Sequence, residues 1–125
     1  MRNSKYIKNK VSYLIPVYNH DKYVELLLSS ILEDVKKLNN DKDIIIIDDG
    51  STDNSKLVIQ NWIDNQDGFI KIKYITRENK GLTVTLNELI SYSDSEYLRL
   101  CASDDILIPT STNIMLQIFN QNNNL

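Results

Sequence analysis

Residues 43–54 read Asp-Ile-Ile-Ile-Ile-Asp-Asp-Gly-Ser-Thr-Asp-Asn. The run Ile44 to Ile47 is β-branched throughout and has no polar alternate, the pattern of a strand buried on both faces of its sheet. It stops at two carboxylates, after which Gly50, Ser51, Thr52 and Asp53 supply turn and helix-cap chemistry. A strand covered on both sides needs helices in front and behind. This stretch therefore predicts a parallel sheet between helical layers, with an acidic loop at the strand's carboxyl end.

The flanking sequence repeats the alternation. Val11 to Val17 (VSYLIPV) is a short β-forming run that ends at the polar break Tyr18-Asn19-His20-Asp21. From Lys22 to Leu38, Val24, Leu27, Leu28, Ile31, Val35 and Leu38 recur at helical spacing. Beyond the acidic loop, Leu57, Val58, Trp62 and Ile63 mark a second helix, with Trp62 read as core. Phe69 to Ile75 alternates apolar residues with Lys71 and Lys73, as a half-exposed strand near a sheet edge does. Leu82, Leu86, Leu89 and Ile90 mark a third helix, Tyr97 to Cys101 a fourth strand, and Pro109 to Phe119 a last helix carrying Ile114, Met115 and Ile118. Four β-α units in this order predict an α/β fold, a three-layer α/β/α sandwich with a mainly parallel sheet. Residues 1–10 read as an N-terminal extension, 11–120 as the domain and 121–125 as a polar tail.

With 125 residues there is room for one domain, and 42% hydrophobic with 25% charged residues is ordinary globular usage. Fourteen Lys and Arg against 17 Asp and Glu leave a net charge of −3, so no positive field draws a nucleic acid or an anionic lipid surface. No apolar run approaches the roughly 20 residues of a membrane helix. The single cysteine, Cys101, fits a reducing compartment, and the reading is cytoplasmic. Only three glycines are present, too far apart for a P-loop or a dinucleotide fingerprint. His20 is the one histidine; it leaves no Ser-His-Asp candidate and is assigned no role.

Ligands of open parallel sheets sit at the carboxyl ends of the strands. Those ends carry Tyr18-Asn19, Asp48-Asp49, Arg77 to Gly81 and Asp104-Asp105. Asp48 and Asp49 can accept hydrogen bonds from a base or ribose, or serve only the turn. Asp104 and Asp105 repel one another unless a donor or a hard ion such as Mg²⁺ or Mn²⁺ stands between them; the alternative is a polar loop. Tyr18 can stack on a nucleobase or pack in the core.

In order and spacing, SYLIPVYN, IIIIDDGSTDNS, ENKGLTVTLNELI and EYLRLCASDD resemble the nucleotide-sugar-binding half of glycosyltransferase family 2, with the GT-A fold. The resemblance runs from Val11 to Ile118. It implies that Pro16, Val17 and Tyr18 line a base pocket, that Asp49 reads a uracil imide N–H with Asp48 beside it, and that Asp104 lies near the ribose. It implies that Asp105 holds a divalent metal, Mn²⁺ or Mg²⁺, bridging the diphosphate. The activity implied is inverting transfer from a UDP-sugar to the hydroxyl of a saccharide or lipid-linked acceptor, in cell-surface polysaccharide synthesis, at a site peripheral to the inner face of the membrane.

Three departures stand out. Ala102 takes the place of an acidic residue, and Thr85-Leu86-Asn87 replaces a stretch whose arginine approaches the diphosphate, a task open to Arg77 or Lys80. The family's acceptor half, which supplies the general base, has no counterpart here. The domain is thus truncated by family standards, and a partner chain supplying that half is one expectation. A non-catalytic sugar-nucleotide-binding or interaction domain is the alternative. A haloacid dehalogenase-like phosphatase needs a second Asp two residues after its nucleophile, where Gly50 and Ser51 stand. A receiver domain needs its acidic pair after the first strand, which ends Pro16-Val17-Tyr18.

Overall fold

In the computed structural model, which describes residues 5–122, the isoleucine run forms the middle of β2 (Lys42–Asp49). β2 pairs in parallel with β1 (Ile7–Val17) on one side and with β3 (Lys71–Arg77) on the other. β4 (Ser95–Leu100) pairs in parallel with the far edge of β1, giving the order β3-β2-β1-β4. The connections are α1 (Val24–Val35), α2 (Ser55–Asp64) and α3 (Leu82–Tyr92), and α4 (Ser111–Asn122) follows β4.

Strand alternation divides the interior into two cores. Tyr13, Ile15, Ile44 and Ile46 face α1, α2 and α4, whereas Leu14, Ile45 and Ile47 face Leu89 of α3. Each fully buried leucine or isoleucine contributes about 1.5–3 kcal/mol of apolar burial, and all four isoleucines of β2 are buried. The α/β/α sandwich read from the sequence is present with unequal layers. Trp62 is core, and β3 is the half-exposed edge strand.

Where α3 ends, polar residues fill its face of the sheet. Ser12 donates to Asp43 across the β1–β2 register and lies 2.7 Å from the Ser93 and Ser95 hydroxyls, while Lys10 bridges Asp94 and Asp43 at 2.7 and 3.6 Å.

Some boundaries and faces differ from the sequence reading. β1 starts at Ile7, which pairs with Ser95 ahead of a bulge containing left-handed Asn9, so part of the stretch assigned to an extension is strand. Gln121 and Asn122 of the assigned tail end α4, and residues 1–4 and 123–125 lie outside the described residues. Ile59 is buried in α2 where Leu57 is exposed, and Thr85 and Leu89 are buried in α3 where Leu82 is exposed. In α4 the expected core residues Ile114, Met115 and Ile118 are exposed, and Thr112 and Leu116 face inward.

The phase of α4 follows from Asp34, fully buried near the end of α1. Its carboxylate accepts hydrogen bonds from Tyr13 Oη at 2.9 Å, Thr112 Oγ1 at 2.5 Å and the Thr112 N–H at 3.3 Å, with Arg99 Nη1 at 3.5 Å. Burial, with Asp34 nearby, raises the Tyr13 phenol well above its ordinary value, so it stays a neutral donor. Turning α4 to bury Ile114 would withdraw Thr112 and leave a buried charge short of donors, which costs about 3–5 kcal/mol. Asp34→Ala is accordingly expected to lower the unfolding free energy by about 3 kcal/mol, measured by urea denaturation, whereas Ile114→Ser, at an exposed position, changes it by under about 0.5 kcal/mol.

Candidate functional site

The strands are added first to one side of β1 and then, with β4, to the other, and a cleft opens at the carboxyl ends of the strands beside that switch in strand order. It has a volume of about 530 Å³. β1 contributes Pro16, Val17 and then Tyr18, β2 contributes Asp49, and the β3–α3 connection contributes Asn79 and Gly81. Thr85 lies at one wall, with His20, Ala102 and Ser103 also lining the space.

Asp49 is the most heavily bonded of these. Its carboxylate accepts from the Lys80 N–H at 2.7 Å, the Gly81 N–H at 3.1 Å and Arg77 Nη1, while its carbonyl accepts from Asn79 Nδ2 at 3.0 Å. Burial pushes the carboxyl up, but the Lys80 N–H and the Arg77 guanidinium outweigh it and hold Asp49 below the ordinary carboxylate range. The approach is close: a Cβ on Gly50, whose φ is +74°, would meet Asn79 N at 2.5 Å. Glycine is required there both for its left-handed backbone and for contact between the two loops.

Arg77 is fixed by the same cluster. Nε donates to Glu88 at 3.0 Å, Nη2 to Thr85 Oγ1 at 2.8 Å and Nη1 also to the Glu78 carbonyl at 2.9 Å. The guanidinium proposed from sequence for a diphosphate is thus occupied within the wall, holding Asp49 against α3. Lys80 is freer: its side chain is 45% exposed, with the ammonium 3.9 Å from Glu88.

Asp48 does not share the cleft. Adjacent residues of a strand point to opposite faces, so Asp48 is turned into the α1–α2 side, fully buried, with Oδ1 accepting the Ser51 N–H at 2.8 Å. Its Oδ2 and the Tyr74 hydroxyl are buried without a protein partner, and burial, reinforced by Asp48, pushes the Tyr74 phenol up to about 12. The loop residues after Gly50 do what turn chemistry suggests. Left-handed Asn19 (φ 54°) accepts the Thr52 N–H at 2.7 Å, and Asp53 accepts the Ser55 N–H at 2.9 Å ahead of α2.

Asp104 and Asp105 do not line the cleft; they directly follow its lining residue Ser103, on a turn closed by the Asp105 N–H to the Ala102 carbonyl at 3.0 Å. Both are exposed, and Asp105 lines a neighbouring cavity of about 280 Å³ together with Arg99 and Ile108. Among the described residues no three His, Cys, Asp or Glu side chains gather as a metal cage. Two exposed carboxylates of hard oxygen donors fit an ion of the Mg²⁺ or Mn²⁺ kind, which takes one or two carboxylates and shares substrate phosphates. Cys101 is free and buried, and burial pushes its thiol up to about 12.

Sequence reasoning passed over His20, Ser103, Asn79 and the wall role of Arg77 and Thr85. Their partners lie far along the chain, and no local spacing announces them. Gly50 was the one available signal, since a glycine directly after two strand-end carboxylates implies a close backbone approach.

Residues 12–125 match the sequence profile described as glycosyl transferase family 2. The poly(ribitol-phosphate) β-N-acetylglucosaminyltransferase TarP of Staphylococcus aureus (strain N315) is 32% identical over 98 residues, which are 78% of this chain and 29% of that protein. Residues 1–349 of S. aureus TarS, in complex with UDP-GlcNAc, superpose with a TM-score of 0.72 at 24% identity, covering 90% of this chain and 31% of that one. The mannosyltransferase PcManGT of Pyrobaculum calidifontis, in complex with GDP-Man and Mn²⁺, superposes with a TM-score of 0.73 at 19% identity, covering 82% and 30%. At those identities the structural likeness establishes the fold, which is the GT-A fold expected from the motifs. This chain spans about a third or less of the length of each of these proteins. No described helix is long and apolar enough to cross a membrane. Because the profile match starts inside β1 and continues through every loop of the cleft, the chain belongs to glycosyl transferase family 2.

Proposed function

We propose that the cleft binds a nucleoside-diphosphate sugar, most simply a UDP-sugar, and forms the donor half of an inverting glycosyltransferase. One observation carries the reading: an exposed aromatic, Tyr18, and an ionised carboxylate, Asp49, share the cleft at the carboxyl ends of β1 and β2, and two exposed carboxylates follow its lining residue Ser103 in the chain. The UDP-GlcNAc and GDP-Man complexes of the two fold neighbours support it.

Each residue has a task in this reading. Pro16 and Val17 form the apolar floor, and Tyr18 stacks on the base. Asp49, kept ionised and immobile by Arg77 and the loop N–H groups, accepts the imide N–H of the base. Asp48 acts from behind, as the buried anchor of the Ser51 turn. Asp104 lies towards the ribose and Asp105 takes Mn²⁺ or Mg²⁺. Of the two basic candidates, Lys80 is the one with an ammonium available to the diphosphate. When bound, the ion supplies Lewis-acid stabilisation to the departing diphosphate oxygens. An acceptor hydroxyl forms its bond to the anomeric carbon as the bond to the nucleoside diphosphate breaks, and a general base takes the hydroxyl proton.

That base and the acceptor site belong to further polypeptide, in the same protein or a partner chain. Leu100, Ile106 and Ile108 support this: they are 55%, 64% and 75% exposed beside the acidic turn, an apolar rim that a covering element would bury. In this reading the acceptor is of saccharide or lipid-linked type, in cell-surface polysaccharide synthesis on the cytoplasmic side of a membrane; the poly(ribitol-phosphate) in the name of TarP supports a polymer as acceptor and no more.

Calorimetric titration of the folded chain with UDP is expected to give binding that Mn²⁺ tightens; a folded sample with no heat of binding in Mn²⁺ overturns the reading. Asp105→Asn is expected to abolish the tightening by metal and leave metal-free affinity within about twofold. Asp49→Ala is expected to weaken UDP binding about tenfold with and without metal, a loss of about 1.4 kcal/mol.

A further inference from the structure

We propose that His20 is a positioning residue for the acidic turn, acting through Ser103 to set where Asp104 and Asp105 stand relative to the base side of the cleft. The inference rests on the nucleotide-sugar reading of the cleft and adds a residue that reading does not use. His20 is anchored by its main chain: its N–H donates to Ser55 Oγ at 3.1 Å, and its carbonyl accepts the N–H groups of Tyr23 and Val24, both at 3.0 Å. Ser55 is fully buried, and the Tyr23 ring meets the imidazole edge-on at a centroid distance of 6.1 Å. The ring is left to reach the acidic turn, where Nδ1 hydrogen-bonds the Ser103 hydroxyl.

Ser103 is itself 2% exposed and lies within the turn whose closing bond runs from the Asp105 N–H to the Ala102 carbonyl. The two carboxylates follow it directly in the chain. A displacement of Ser103 therefore moves both, whereas Asp49, bonded to the β3–α3 loop, is independent of it. Removing the imidazole leaves a buried hydroxyl without this partner, and the turn shifts to find another. His20 thus joins the loop that carries Tyr18 to the turn that carries the acidic pair. Both His20 and Ser103 line the cleft.

The test compares His20→Ala, Ser103→Ala, their double variant and His20→Asn, whose amide reaches the place of Nδ1. UDP affinity is measured with and without Mn²⁺, and backbone amide resonances are followed without ligand. In His20→Ala the Mn²⁺ concentration for half-maximal tightening is expected to rise about three- to tenfold, the scale of one hydrogen bond, with a smaller loss of metal-free affinity through the displaced Asp104. Ser103→Ala matches it, the double variant is no worse than either, and His20→Asn recovers most of the loss. Without ligand, the Asp104 and Asp105 amides shift in His20→Ala while those of Lys80 and Gly81 stay in place. Additive losses in the double variant, or equal losses with and without metal, overturn the proposal. If the folded wild type binds no UDP, the nucleotide reading fails, and the amide resonances still decide this one: unmoved Asp104 and Asp105 amides overturn it.

Discussion

Four consecutive isoleucines leave β2 only one stable environment, between two apolar layers. Everything that follows in the cleft depends on that. A strand buried on both faces must be flanked by strands on both edges and helices on both sides, which sets β1, β3, α1, α2 and α3 around it. The same alternation continues into the two residues after the run. Asp48 and Asp49 are chemically identical neighbours, yet one is sealed behind the sheet and the other reaches the cleft. The pleat makes the difference.

Asp49 then acts as the junction between loops. Its two oxygens and its carbonyl tie the end of β2 to Asn79, Lys80 and Gly81, and through Arg77 to Glu88 and Thr85. A carboxylate with so many donors is held in one place and one charge state, which suits the base contact proposed for it. The interaction that builds the wall is the one that orients the Asp49 carboxylate. Arg77, at the end of β3, shows what charge alone does not reveal: its planar fork is matched to Asp49 and Glu88 inside the protein.

The two sides of the molecule differ in completeness. The core between the sheet and α1 is closed and is reinforced by the Asp34 cluster, which reaches β1, β4 and α4. The rim beyond β4 is apolar and open at Leu100, Ile106 and Ile108. The closed side is a scaffold, and the open rim lies beside the acidic turn.

By itself the sequence determined the number and order of elements, the parallel sheet, the central place of β2, the edge character of β3 and the location of the cleft. These depend on hydrophobic period and turn chemistry, which are local properties of the chain. Tertiary structure alone decided which way each helix turned and which polar groups met. Ile114, Met115 and Ile118 sit at helical spacing, yet Thr112 and Leu116 face inward, because the buried Asp34 selects the face of α4 that can donate to it. His20 and Ser103 meet across a separation of 83 residues, with no pattern in either segment to announce it. Period is written along the chain, but hydrogen-bond partners are chosen in space, and only the packed sheet brings the ends of its strands together.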